Sequence, residues 1–353
     1  MSSDRKALGA RLRGERLWRG WLKPEMARRL AEHLQDQCPD QETLISYLKR
    51  WEAGKTGISE RYRLAYAAAF AVEVEELFGL DGRSPWRAPG LTEMMNREFS
   101  PDAEERLGLA VARPSRMDAD VLDTLRTVLT GQRRLEDAIG PAALLQPVTR
   151  QLESITAMLR NTSGPHRREL GRIVAEWTTF TGWLHAAVRR DAAALRLFRR
   201  AEELADEVGD GTLAGTAVSF KGYVARQQGR PRAVVHASAA ALATPGGHLV
   251  QQTFDRLQAA QGYAACGEVE QARRMLGSAA ERADDGIEPP PSVYWYSPSF
   301  FRLNIGLVLR EIGEHRDAAD LLAEGLAGIP VDQQEAEWLA EYRDAYQDSR
   351  GRA

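Results

Sequence analysis

Residues 41–56 read QETLISYLKRWEAGKT, and the fold assignment turns on this stretch. Leu44, Ile45, Leu48 and Trp51 fall at helical spacing and form one apolar stripe. Asp40, directly after Pro39, is placed to accept hydrogen bonds from the first free amides of such a helix. Gly54 can take the left-handed conformation that ends it. Ser46, Lys49, Arg50 and Lys55 are left on or beside the outer face, where a helix in a DNA groove needs polar and basic groups. An ordinary amphipathic helix with a solvated charged face has the same pattern, so the neighbouring segments decide between the two.

Those neighbours read as short helices. Residues 6–19 form a first one, with Leu8, Leu12 and Leu17 inward and the arginines outward. Pro24 suits the first turn of a second, which runs through Met26, Ala27, Leu30, Ala31 and Leu34 into a polar loop at 35–39. Ser59 can cap a fourth, with Tyr62, Leu64, Tyr66, Ala67 and Phe70 as its apolar surface. Val74, Leu77 and Phe78 mark a short fifth, closed by Gly79.

The charge is uneven. Residues 1–63 hold 14 Lys and Arg against nine Asp and Glu, a net +5, which leaves −8 for the rest of a chain whose total is −3. A basic head on an acidic body suits phosphate binding at one end. No apolar run approaches membrane-spanning length, and the first residues, MSSDRKALGARLRGER, lack the apolar core of a signal peptide, so a cytoplasmic protein is expected. Cys38 and Cys266 match neither a metal-ligand spacing nor a disulfide framework.

Five short helices, the third ending in Trp51-Glu52-Ala53-Gly54, resemble the phage-repressor (XRE) type of helix-turn-helix domain. The likeness is to actinobacterial regulators of that type, through Lys49-Arg50-Trp51-Glu52-Ala53-Gly54, then residues 59–70, SERYRLAYAAAF, then Glu76-Leu77-Phe78-Gly79. It covers about the first 80 residues. One departure is the turn between the second and third helices, which is extended over 31–41. The resemblance implies that Ile45, Ser46, Lys49 and Arg50 face base edges of double-stranded DNA. It puts Lys55 and Thr56 at backbone-contact positions and Lys23 where the second helix approaches a phosphate. The chemistry agrees, because Arg can grip guanine with two hydrogen bonds and Lys can neutralise a phosphate. Trp51 and Glu52 are expected to pack and tether the helix, and Tyr47 fits either role.

Residues 81–117 break the pattern, with Pro85, Pro89 and Pro114, and read as a linker with one short helical piece at 91–99. Residues 118–164 are connecting helices interrupted at Gly140-Pro141, the first with an inward stripe of Leu122, Leu125, Val128, Leu129, Leu135 and Ile139. From 165 to 350 the chain repeats itself. Gly182, Gly222, Gly262 and Gly306 recur at intervals of 40, 40 and 44 residues, each inside a helix followed by a turn and a second helix. This grammar resembles tetratricopeptide repeats. In its frame Ala194, Phe198 and Ala201 are packing positions after Gly182, and Ala318 and Leu322 after Gly306. The third unit fits with Ala260 in the glycine position, followed by Ala272, Leu276 and Ala279. The second unit fits least well. Residues 332–347 read as a terminal helix over the last pair, with Trp338 and Tyr342 beneath it.

The expected fold is therefore all-α: a five-helix repressor-type head (1–80), a linker, connecting helices and a tetratricopeptide-like superhelix. In such a stack the first helix of each pair lines the concave side. Tyr223, Arg226, Gln258, Phe300, Asn304 and Arg310 are the candidate ligand contacts there: amides for a peptide backbone, guanidinium groups for a carboxylate, rings for apolar walls. A peptide or small-molecule signal, or a protein partner, is the expected occupant. No paired histidines, phosphate-binding glycine loop or nucleophile motif occurs, so neither catalysis, a cofactor nor a metal is expected. The resulting reading is a sequence-specific, homodimeric transcriptional regulator that binds DNA. The alternative is a protein-interaction scaffold whose head reads sequence weakly.

Overall fold

A computed structural model of the chain describes residues 2–34, 38–72, 74–78, 106–107, 110, 117–283 and 288–353. The regular elements among them are all helical. The chain divides into two compact units, Met1–Gly131 with Gln146–His166, and Gln132–Leu145 with Arg167–Ala353. The expected linker at 81–117, its helical piece at 91–99 and Gly79 lie almost wholly outside the described residues, as does part of the loop at 35–39.

The first unit begins with α1 (Ser2–Trp18), α2 (Lys23–His33), α3 (Gln41–Glu52), α4 (Glu60–Phe70) and α5 (Val74–Phe78). The Asp40 carboxylate accepts from the Thr43 amide at 2.8 Å, and this bond holds its pKa below the usual value. At the other end the Lys55 amide donates to the Arg50 carbonyl and the Gly54 amide to the Trp51 carbonyl, both at 2.9 Å. That pair of bonds is a Schellman closure, and it requires the positive φ of Gly54, +66°. Leu12, Met26, Leu30, Leu44, Leu48, Tyr66 and Phe70 make one core beneath α3. A Cβ on Gly9 would lie 2.5 Å from the Trp51 carbonyl oxygen, so the absent side chain is what lets α1 pack this closely on α3. Two expectations change. Ser59 stands at the start of α4 but makes no side-chain capping bond, and Leu64 is 55% exposed.

Next come α6 (Ala119–Ile139) and α7 (Pro141–Asn161), joined at Gly140 with φ +80° as the Gly-Pro dipeptide predicts. This pair is shared. Its tip, Gln132–Leu145, belongs to the second unit and its stem to the first. The apolar stripe expected on α6 holds through Leu129, but beyond it the buried positions are Arg133, Glu136 and Asp137, while Leu135 and Ile139 are only half-buried. The face keeps its helical period and changes chemistry.

The second unit continues with α8 (Arg167–Ala187), α9 (Asp191–Val208), α10 (Gly211–Gln227), α11 (Pro231–Leu242), α12 (Leu249–Ala265), α13 (Val269–Ala283), α14 (Pro298–Glu311), α15 (His315–Ala327) and α16 (Ala340–Arg352). Each helix packs on the next, and α8, α10, α12, α14 and α16 also pack on one another as one layer. The glycine spacing has a steric basis. A Cβ on Gly182 would meet the Phe198 ring at 2.6 Å, and one on Gly306 would meet Leu322 at 2.6 Å, both 16 residues on. The pair expected to fit least well puts Val234, Ser238 and Ala241 at the positions held elsewhere by Ala194, Phe198 and Ala201, and all six are buried.

Candidate functional site

The outer face of α3 is the first candidate surface. Ser46, Arg50 and Lys55 are exposed and Lys49 and Thr56 partly so, consistent with groups presented to a partner. The inner face is locked from three sides. Arg16 donates to both carboxylate oxygens of Glu52, at 2.7 and 2.9 Å, and to the Trp21 carbonyl at 2.7 Å. Trp51 packs against Tyr62, with ring centroids 4.7 Å apart, and against Tyr47 and Tyr66. Glu52 and Trp51 therefore tether the helix, as read from the sequence, and Tyr47 sits in the same ring cluster.

Three of the head expectations are corrected. Lys23 is only 6% exposed and lies 3.5 Å from Glu52, so it serves the interior ion pair and presents nothing to a phosphate. Arg16, expected outward with the other arginines of the first helix, is fully buried. Ile45 is half-buried against the head core, which leaves at most one edge of its side chain for a base contact. A buried guanidinium on an otherwise regular amphipathic helix has no local signature. Its partner is 36 residues away.

In the second unit the six proposed ligand contacts separate into three groups. Tyr223 and Arg226 line an open cavity of about 280 Å³ together with Gln227, Glu337, Trp338 and Glu341. Arg226 there is paired with Glu341, with Nη2 to Oε2 at 3.0 Å. Gln258 and Asn304 are 1% and 2% exposed. Gln258 donates to the Ser219 carbonyl at 3.1 Å and the Ser238 hydroxyl at 3.2 Å. The Asn304 amide donates to the Phe300 carbonyl at 2.8 Å and its oxygen accepts from Gln261 at 3.0 Å. Both amides are interior ties between helices, and neither offers a donor to a ligand in this arrangement. Phe300 stacks into a ring cluster with Tyr296, Trp338 and Tyr342, and Arg310 lies beside Glu311, 3.7 Å away.

The residues that sequence reading missed lie on the tip of the α6–α7 pair. Arg133 donates to Glu176 of α8 at 3.4 Å, and its guanidinium sits about 6 Å from the ring centres of Phe180, Tyr294 and Trp295. Asp137 accepts from Trp338 Nε1 at 3.0 Å and from Gln333 at 3.1 Å. Glu136 bonds to Trp183, whose ring packs on Tyr223 at 5.1 Å. Burial, and secondarily the charge of Asp137, pushes the Glu136 carboxyl up to about 8, and burial pushes Asp137 up to about 6. A second interior carboxyl, Asp255 on α12, accepts from Gln251 at 3.0 Å and is raised by burial to about 7.

Among the described residues no cluster of three or more His, Cys, Asp and Glu side chains is arranged to hold a metal, and no helix is long and apolar enough to cross a membrane. Comparison of the chain with protein-family models, with curated proteins and with solved structures finds no match.

Proposed function

We propose that this chain is a sequence-specific DNA-binding transcriptional regulator of the repressor type, with α3 as the helix that enters the major groove. One observation carries this reading: the inner face of α3 is immobilised by Glu52, Trp51 and the Gly54 closure while Ser46, Arg50 and Lys55 stand exposed on a head of net positive charge. A recognition helix needs both properties, a fixed axis and polar groups that reach base edges. The second unit, a stack of tetratricopeptide-like pairs, is the part that receives a signal or partner. A single head reads few base pairs, so a homodimer is part of the proposal.

Footprinting and gel shifts with the DNA upstream of the chain's own gene test this reading. Arg50→Ala should weaken the specific site by about 1 to 3 kcal/mol and relax preference at one base position. Lys55→Ala should weaken all sequences alike and reduce the salt slope by about one. If Arg50→Ala binds the native site as tightly as the unaltered chain, α3 is not the reading helix. If no site is protected and a protein is captured instead, the scaffold reading stands.

A further inference from the structure

On α6 the tip of the α6–α7 pair is buried through charged side chains, beside Leu144 and Leu145 of α7, and buried charge at successive turns is unusual for a permanent core element. Arg133, Glu136 and Asp137 occupy the buried positions of successive turns, and each finds its counterpart elsewhere in the second unit, to which the tip belongs. The guanidinium meets a carboxylate and three ring faces. Glu136 meets an indole on α8. Asp137 meets the indole of Trp338 and the amide of Gln333, within the 3-10 turns Val331–Gln333 and Glu337–Leu339. Glu176, Phe180 and Trp183 share one face of α8, the inner face in the frame of the repeats.

We propose that this inner face is a binding site for a helix that carries an arginine followed one turn later by two neighbouring carboxylates, and that the tip of α6–α7 occupies it reversibly, as a ligand tethered to its own receptor. The chemistry is that of recognition. Four polar contacts are directional and fix register, and the rings supply flat surfaces against the guanidinium. By contrast, Phe198 against Gly182 and Leu322 against Gly306 are steric fits that cannot open without a cavity. Gly140 closes the tip with its positive φ, and the exposed Glu337 carboxylate lies against it, so the turn and the residues after the 3-10 turn at Val331–Gln333 are neighbours.

The charges that face the tip favour release as protons leave. Glu136 feels Asp137 and Glu337, Asp137 feels Asp332, and Glu176 pairs with Arg133. Tyr294 faces the same groups, and the two cations there, Arg133 and Arg134, both belong to the tip itself, so ionising both carboxyls leaves excess negative charge in a dry site.

Hydrogen exchange on the full chain is the first test. Amides at 132–139 should open at least about tenfold more often than those in the middle of α8 near pH 8.5, with the gap narrowing near pH 6 after correction for intrinsic rates. Equal protection of the two at both pH values would make the tip a fixed part of the core and end the proposal. The second test supplies the ligand in trans, as a labelled peptide spanning 130–147. It should bind full-length chain carrying Arg133→Ala, whose own tip is loosened, and a peptide with Glu136→Lys and Asp137→Lys should not. If Arg133→Ala fails to fold, excess peptide on unaltered chain should raise exchange of the resident tip. A tip that opens while the peptide fails to bind overturns the idea. None of these readouts involves DNA, so their failure is distinct from failure of the regulator reading.

Discussion

The two units hold their most buried carboxyls in opposite ways. In the head, Glu52 meets Arg16 through two parallel hydrogen bonds with Lys23 beside it, so each buried charge has an opposite one in contact. In the second unit, Glu136, Asp137 and Asp255 meet indoles, amides and rings, with Arg133 the nearby cation for the first two, and their carboxyls are pushed up to about 8, 6 and 7. An ion pair fixes geometry as long as both partners are present, which suits a helix that must hold its axis. A carboxyl buried without an opposite charge in contact keeps its proton to higher pH, because desolvation outweighs the N–H donors that favour its anion, and this suits a contact that is made and broken.

The largest effect that separates the two is pH. In the unfolded chain these three carboxyls titrate near 4, and in the folded unit between about 6 and 8. Within that window the folded unit keeps protons that the unfolded chain has lost, so its stability falls as pH rises and levels off above about 8. Thermal unfolding of the second unit should therefore have its highest midpoint near pH 5 and lose about 10 °C by pH 9, with Asp255→Asn flattening part of the slope. A midpoint that holds or climbs over this range would mean that the carboxyls are ionised in the folded unit.

Removal of one partner of the head pair comes next. Arg16→Ala leaves Glu52 buried with Lys23 alone and should cost the head about 3 to 5 kcal/mol, read from exchange of the α3 amides. Joint replacement of all three buried charges by Arg16→Met, Lys23→Met and Glu52→Met should recover most of that loss. If the single change is harmless, the pair is not what holds α3.

The smallest effects compare close packing. Gly9→Ala drives a methyl into a backbone carbonyl of α3 and should cost about 2 to 3 kcal/mol, near the top of the overpacking range. Gly182→Ala meets the Phe198 ring, a side chain with some room to turn, and should cost about 1 to 2 kcal/mol. Chemical denaturation followed in each unit separately checks the order, and a reversed order would show that the α1–α3 contact relaxes more readily than the α8–α9 contact.

Much of this architecture was legible because it is local. Asp40 caps a helix through a bond three residues away, and Gly54 ends it through a conformation that a single residue supplies. Helical period locates the stripe of Leu44, Leu48 and Trp51, and the glycine spacing recurs because each small residue accommodates a side chain 16 positions on in two of the four pairs. The candidate groove was less legible. Gln258 and Asn304 have the composition of ligand contacts, yet they are ties between helices, because an amide that bridges two layers looks the same in sequence as one that faces solvent.

From the sequence by itself came the helices, the ends of α3, the glycine spacing and the exposed polar face of α3, all set by interactions within a few turns of chain. The terminal helix expected at 332–347, by contrast, begins only at Ala340, after two 3-10 turns. Only the tertiary structure decided which charges lie inside. Arg16 and Lys23 converge on Glu52 from other helices, and Arg133 and Asp137 find partners as far as 201 residues away. Burial of a charge depends on what other segments bring to it, and one-dimensional periodicity records which face turns inward but not what that face will meet.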